Sequence, residues 1–110
     1  MECSFLIPVR RDSVLSDGKS HDQTAWDWLD EEAYDRFGGL TQSHALYEGL
    51  YVDPDTRQQV RDLSMRFFVA VEESRLEELR SLLRGVCALF AQKCVYLSIA
   101  GQVEFIGVEP

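Results

Sequence analysis

Leu63-Ser64-Met65-Arg66-Phe67-Phe68-Val69-Ala70-Val71 is the stretch whose reading decides the fold. Apolar residues at 63, 65, 67, 69 and 71 alternate with Ser64, Arg66, Phe68 and Ala70, which is the two-residue period of a strand. Ser74-Arg75-Leu76-Glu77 follows with the pattern of a capping box, a hydroxyl for an orphan N–H and a carboxylate three residues on. Leu76, Leu79, Leu83, Val86 and Phe90 then recur in steps of three and four, so they line one face of a helix. From Lys93 the alternation returns, with Val95, Leu97 and Ile99 on one side. Strand, helix, strand is the frame on which the rest is placed.

Working outward, Ser4–Val9 is a short apolar run in which Pro8 lacks a ladder donor, so it is expected at a bulge or an edge on that side. Arg10–Ser20 is polar and reads as a loop. Its Gly18-Lys19-Ser20 does not make a phosphate loop, because Ser13 stands where that motif needs a glycine. Ser20 or Asp22 can cap a helix that runs to about Phe37, with Trp26, Leu29, Ala33 and Phe37 as its buried stripe. Asp27, Asp30, Glu31 and Asp35 fill the opposite face, which reads as solvated. Gly38-Gly39 offers a left-handed C-cap.

Leu40–Val52 reads as a strand with two mixed faces, neither of which is assigned inward, and Gly49 marks a candidate bulge. Asp53-Pro54-Asp55-Thr56 is a turn in which Pro54 pre-sets the backbone, so Leu40–Val71 forms a long antiparallel hairpin. After Ala100-Gly101, Val103, Phe105 and Ile106 make either a kinked extension of the last strand or a fifth, edge strand. The order β-α-β-β-α-β predicts an α+β fold, the ferredoxin-like split βαβ sandwich, with an antiparallel sheet and both helices on one face. Residues 1–110 are expected to form one domain.

The composition bounds the function. A formal charge of −8 disfavours nucleic acid and anionic membranes, both of which need clustered Lys and Arg. No apolar run reaches membrane-spanning length, and Ser4–Val9 is too short for a signal sequence. Cys3, Cys87 and Cys94 are odd in number and without CxxC spacing, which suits a reducing cytoplasm. Cys87 falls beside the helix stripe and is expected to pack as a small hydrophobe. Two distant histidines supply no metal site, and no cofactor is implied.

Trp26-x-x-Leu29, Arg36-Phe37-Gly38-Gly39-Leu40-Thr41, Phe90-x-Gln92-x-Cys94-Val95 and Val103-Glu104-Phe105 together resemble an uncharacterised family of small bacterial proteins. That resemblance implies a ferredoxin-like fold and a bacterial source. It implies no activity and no catalytic residue.

Four residues are candidates for ligand binding: Arg66, His44, Tyr96 and Phe68. His44 is a candidate base, with Glu48 on the same strand face. Arg66 is a candidate clamp for an anion, lying on the face opposite the apolar one. Gln92 and Lys93 are expected to cap the last carbonyls of the second helix. Phe5, Ile7, Val9, Leu63, Met65, Phe67, Val69, Val95, Leu97 and Ile99 should face the helices. Leu6, Phe68 and Tyr96 then form an apolar patch on the open face, the expected surface of a homodimer unless Gln102–Pro110 covers it. The leading expectation is a cytoplasmic, homo-oligomeric, non-catalytic binding or accessory domain. The alternative is a small dimeric α+β barrel enzyme that holds an anionic or apolar ligand on the open sheet face.

Overall fold

The computed structural model describes residues 1–53 and 55–110; the expected proline turn at Pro54 lies outside the described residues. The elements are β1 (Glu2–Pro8), α1 (Gln23–Phe37), β2 (Thr41–Val52), β3 (Gln59–Ala70), α2 (Leu76–Leu89), β4 (Cys94–Ile99) and β5 (Gln102–Gly107), with a 3₁₀ turn at Glu73–Arg75 leading into α2. One antiparallel sheet has the order β2-β3-β1-β4-β5. The fold is therefore α+β, with the two helices packed against one sheet face. Among the described residues no helix is long and apolar enough to cross a membrane.

The alternation read from the sequence places the core. Phe5, Ile7, Phe67, Val69, Val95, Leu97 and Ile99 are buried against Leu29 of α1 and Leu79, Leu83, Val86 and Phe90 of the second helical segment. Leu82 and Cys87 widen the α2 stripe, and Ala25 widens that of α1. The Cys87 thiol donates to the Ile106 carbonyl at 3.1 Å, and burial pushes its pKa up to about 12, so it stays a packed thiol.

Ala100 and Gly101 both have positive φ, 47° and 86°, and join β4 to β5 through a two-residue turn of the kind that matches strand twist. Residues 102–107 are thus a separate fifth strand. They pair edge-on with β4 and leave the open face of the sheet uncovered by the tail. Gly38, at φ 81°, caps α1 by donating to the Tyr34 carbonyl.

Four expectations need correction. Ser74 makes no cap bond: a 3₁₀ turn intervenes, and the Glu77 carboxylate turns to Arg80 at 2.9 Å instead of reaching back. The start of α2 is held by Arg75, whose guanidinium donates to the Arg36 carbonyl, lies 5.2 Å from the Phe37 ring and pairs with Glu78. The irregularity in β2 falls between Gln42 and Leu46, not at Gly49, which pairs in regular register with Asp62. Leu63 is 45% exposed, not in the core, because the β1–β3 register ends at Pro8 and Ser64, with one last bond from the Val9 amide to the Leu63 carbonyl, and the hairpin beyond overhangs the sheet. Lys93 does not cap α2; Gln92 alone does so, donating to the carbonyls of Phe90 and Arg10.

Candidate functional site

The overhang makes the site. β2 and β3 are each 12 residues long, against 7 for β1, so their distal halves continue as an unsupported two-stranded ribbon. Two-stranded ribbons coil more strongly than wide sheets, and this one curls over the open face. Its tip is fastened by Lys93, at the start of β4, which reaches Asp53 at 3.2 Å and Asp55 at 2.8 Å. The Asp53 carboxylate also accepts the amides of Asp55 and Thr56, and those bonds, with Lys93, hold its pKa below the ordinary value.

Between ribbon and sheet lies a cavity of about 470 Å³, within the size range of small-molecule sites. Leu6, Tyr96 and Phe105 line it from the sheet, Leu50 and Tyr51 from the ribbon, and Asp62 from the junction between them. Leu6, Tyr96 and Phe105 face one another directly across β1, β4 and β5, and the Tyr96 and Phe105 rings meet edge-on at 5.9 Å. A second hollow, of about 630 Å³, adjoins it under the Arg10–Gly18 loop and shares Pro8, Asp12, Tyr51, Asp53, Asp62 and Gln92.

Asp62 is the chemically distinctive group. It lies on the open-face side of β3 opposite Gly49, where a Cβ on residue 49 would stand 2.6 Å from Asp62 Oδ1. The missing side chain of Gly49 is therefore the space that the carboxylate occupies. Among the described residues no hydrogen-bond donor or cation pairs with it, and burial alone pushes its pKa up. Tyr51 is shifted upward too, by burial first and then by Asp62, Asp12 and Asp53. A concave aromatic surface around an unpaired, partly desolvated carboxylate suits a cation carried on an apolar or aromatic body. Among the described residues no three His, Cys, Asp or Glu side chains converge as metal ligands.

The residues singled out from the sequence divide. Tyr96 lines the cavity. Arg66 and Phe68 line neither hollow; they lie on the same sheet face, Arg66 in register with cavity-lining Leu6, with the guanidinium 4.8 Å from the Phe68 ring and 5.5 Å from that of Tyr47. Arg66 also donates to the hydroxyl of Ser4 at 3.2 Å. His44 stands apart: it lies exposed in the irregular stretch between Gln42 and Leu46 and lines neither hollow. Asp62, Leu50, Tyr51 and Phe105 were not singled out from the sequence. The one signal for them was Gly49 in a strand, since such a glycine also marks the close approach of another group.

No protein-family model matches the chain, and neither does any curated protein sequence. The resemblance to a bacterial family therefore gains no support. Two solved structures share the fold. A phage SAM lyase in complex with S-methyl-5'-thioadenosine superposes with a TM-score of 0.68 at 14% identity, over 96% of this chain and 88% of that one. A phage SAM lyase in its apo state gives 0.61 at 11% identity, over 96% and 80%. At these identities the likeness establishes the fold. Both counterparts are enzymes, and that finding overturns the leading expectation of a non-catalytic accessory domain.

Proposed function

We propose that this chain is a small enzyme that binds a sulfonium nucleoside of the SAM type in the cavity under the curled hairpin and cleaves its carbon–sulfur bond. The observation that carries the reading is the unpaired Asp62 carboxylate within an aromatic cavity, in a fold shared with a SAM lyase over nearly its whole length. SAM combines a fixed positive charge on sulfur with a flat adenine. Asp62 attracts the first, and Tyr96, Phe105 and Tyr51 offer surfaces for the second. The carboxylate-rich lining favours a cation over the anionic or purely apolar ligand first expected.

Cleavage sends the electron pair of the broken carbon–sulfur bond to sulfur, which becomes a neutral thioether, while the adjacent carbon of the departing fragment gives up a proton and its C–H electron pair closes a carbon–carbon double bond. Asp62, with its pKa raised by burial, is the group in the cavity best suited to accept that proton. The four strands β2-β3-β1-β4, read from the other edge, follow the order 4-1-3-2, and we assign the fold as ferredoxin-like with β5 appended beside β4. Pairing of two copies through the open face belongs to the same proposal. It is supported by Val103 and Phe105, 50% and 68% exposed on that face, and is tested by light scattering on Val103→Asp.

Thermal-shift titration tests the binding. SAM and S-methyl-5'-thioadenosine should each raise the melting temperature, while ATP, which shares the adenosine but carries anionic phosphates, should not. No shift with SAM, or a shift with ATP alone, overturns the reading.

A further inference from the structure

The open face carries a second charged group that the cavity does not use. Asp62, Ser64 and Arg66 alternate onto that face of β3, so the Asp62 and Arg66 Cα atoms stand about 13 Å apart. Ser64, buried and small, separates them without filling the space. Arg66 lies in register with Leu6, and Leu6 with Tyr96, so the guanidinium heads the row of side chains that floors the cavity. Its position is fixed on three sides, by the ring of Phe68 beneath, that of Tyr47 beside it and the hydroxyl of buried Ser4.

The chain has 19 acidic residues against 11 Lys and Arg, yet among the described residues no carboxylate pairs with Arg66. Arg11, Arg36, Arg61, Arg75, Arg80 and Arg84 have acidic partners, and Arg10 and Arg57, which have none among the described residues, are exposed, whereas Arg66 is half-buried. A guanidinium held by neutral and aromatic neighbours keeps N–H donors in a fork that matches a carboxylate.

We infer that Arg66 binds the carboxylate of a zwitterionic ligand whose cationic centre lies toward Asp62. The inference rests on the reading of the open face as a small-ligand site, and it sets the substrate class: a cationic body that also carries an amino-acid carboxylate, rather than a nucleoside or a simple cation. The ligand would lie lengthwise along β3, over Ser64.

Isothermal titration decides this with four probes: SAM, decarboxylated SAM, S-methyl-5'-thioadenosine and S-methylmethionine. The first and last carry both charges. In Arg66→Gln, affinity for SAM and S-methylmethionine should fall about tenfold or more, the scale of one charge-assisted contact, while the two probes without a carboxylate bind as before. Arg66→Lys, which keeps the charge but loses the fork, should recover part of the loss. Circular dichroism of each variant guards against misfolding. If wild type ignores the three adenosine compounds but binds S-methylmethionine through Arg66, the SAM reading fails and the zwitterion site stands. Equal losses for all probes, unchanged affinity for SAM and S-methylmethionine in Arg66→Gln, or failure of wild type to bind either of them overturns it.

Discussion

Gly49 and Asp62 oppose each other across the β2–β3 ladder, and the Asp62 carboxylate fills the volume that a side chain on Gly49 would take. The neighbour that a new Cβ would meet is the free end of a side chain, which can swing away. Gly49→Ala should therefore leave stability within about 1 kcal/mol of wild type, helped by the lower strand propensity of glycine. It should nevertheless displace the carboxylate and weaken ligand binding. Denaturation and SAM titration on the same sample check both halves; an affinity equal to wild type would detach Gly49 from the site.

The raised Asp62 pKa sets a pH dependence with a definite sign. Burial disfavours the ionised carboxylate in the folded state, so its protonated form stabilises the fold below the unfolded value of about 4, and that stabilisation is lost as pH rises through the folded value. Asp62→Asn removes the penalty. Its melting temperature should exceed that of wild type at neutral pH, with the gap closing on acidification. A gap that widens toward low pH would show that the carboxylate has a stabilising partner in the fold.

Lys93 fastens the ribbon over the cavity through Asp53 and Asp55. Lys93→Met should free the tip while leaving the core intact. Limited trypsin digestion reads this out at Arg57, an exposed residue with positive φ in the turn. Faster cleavage there, with an unchanged rate elsewhere, is expected; equal rates at Arg57 would mean the ribbon holds its place without the ion pairs.

Periodicity made the core legible. The alternation in β1, β3 and β4 and the three-and-four spacing in both helices are consequences of burial on one face; most of those side chains are buried, while Val9, Trp26, Phe37, Met65 and Leu76 are half-buried. Periodicity carries no information where both faces meet solvent, which is why β2, exposed along most of its length, offered no inward side. The capping pattern at Ser74 misled because a 3₁₀ turn moved the helix start one residue on, and Arg75 took over the junction. The open-face positions of Arg66, Phe68 and Tyr96 were legible because strand alternation puts them opposite the apolar set. Asp62 was not, since its isolation depends on how the ribbon curls, a tertiary property that no local pattern encodes.

The two helix-α2 substitutions separate cap from core. Ser74→Ala should change stability by less than about 0.5 kcal/mol, as at an ordinary surface position. Leu83→Ala, at a fully buried position, should cost about 2–5 kcal/mol by opening a cavity under the helix. Urea denaturation of both variants checks the assignment. A loss near 1 kcal/mol for Ser74→Ala would restore it as a cap.

Conversion of SAM to S-methyl-5'-thioadenosine, followed by chromatography with purified protein, is the decisive assay for a SAM-cleaving site. Wild type should form the product well above the enzyme-free rate. Asp62→Asn should lose about a hundredfold or more, the usual scale for a positioned base. No product above the control, or an undiminished rate in Asp62→Asn, would contradict a SAM-cleaving site built around Asp62.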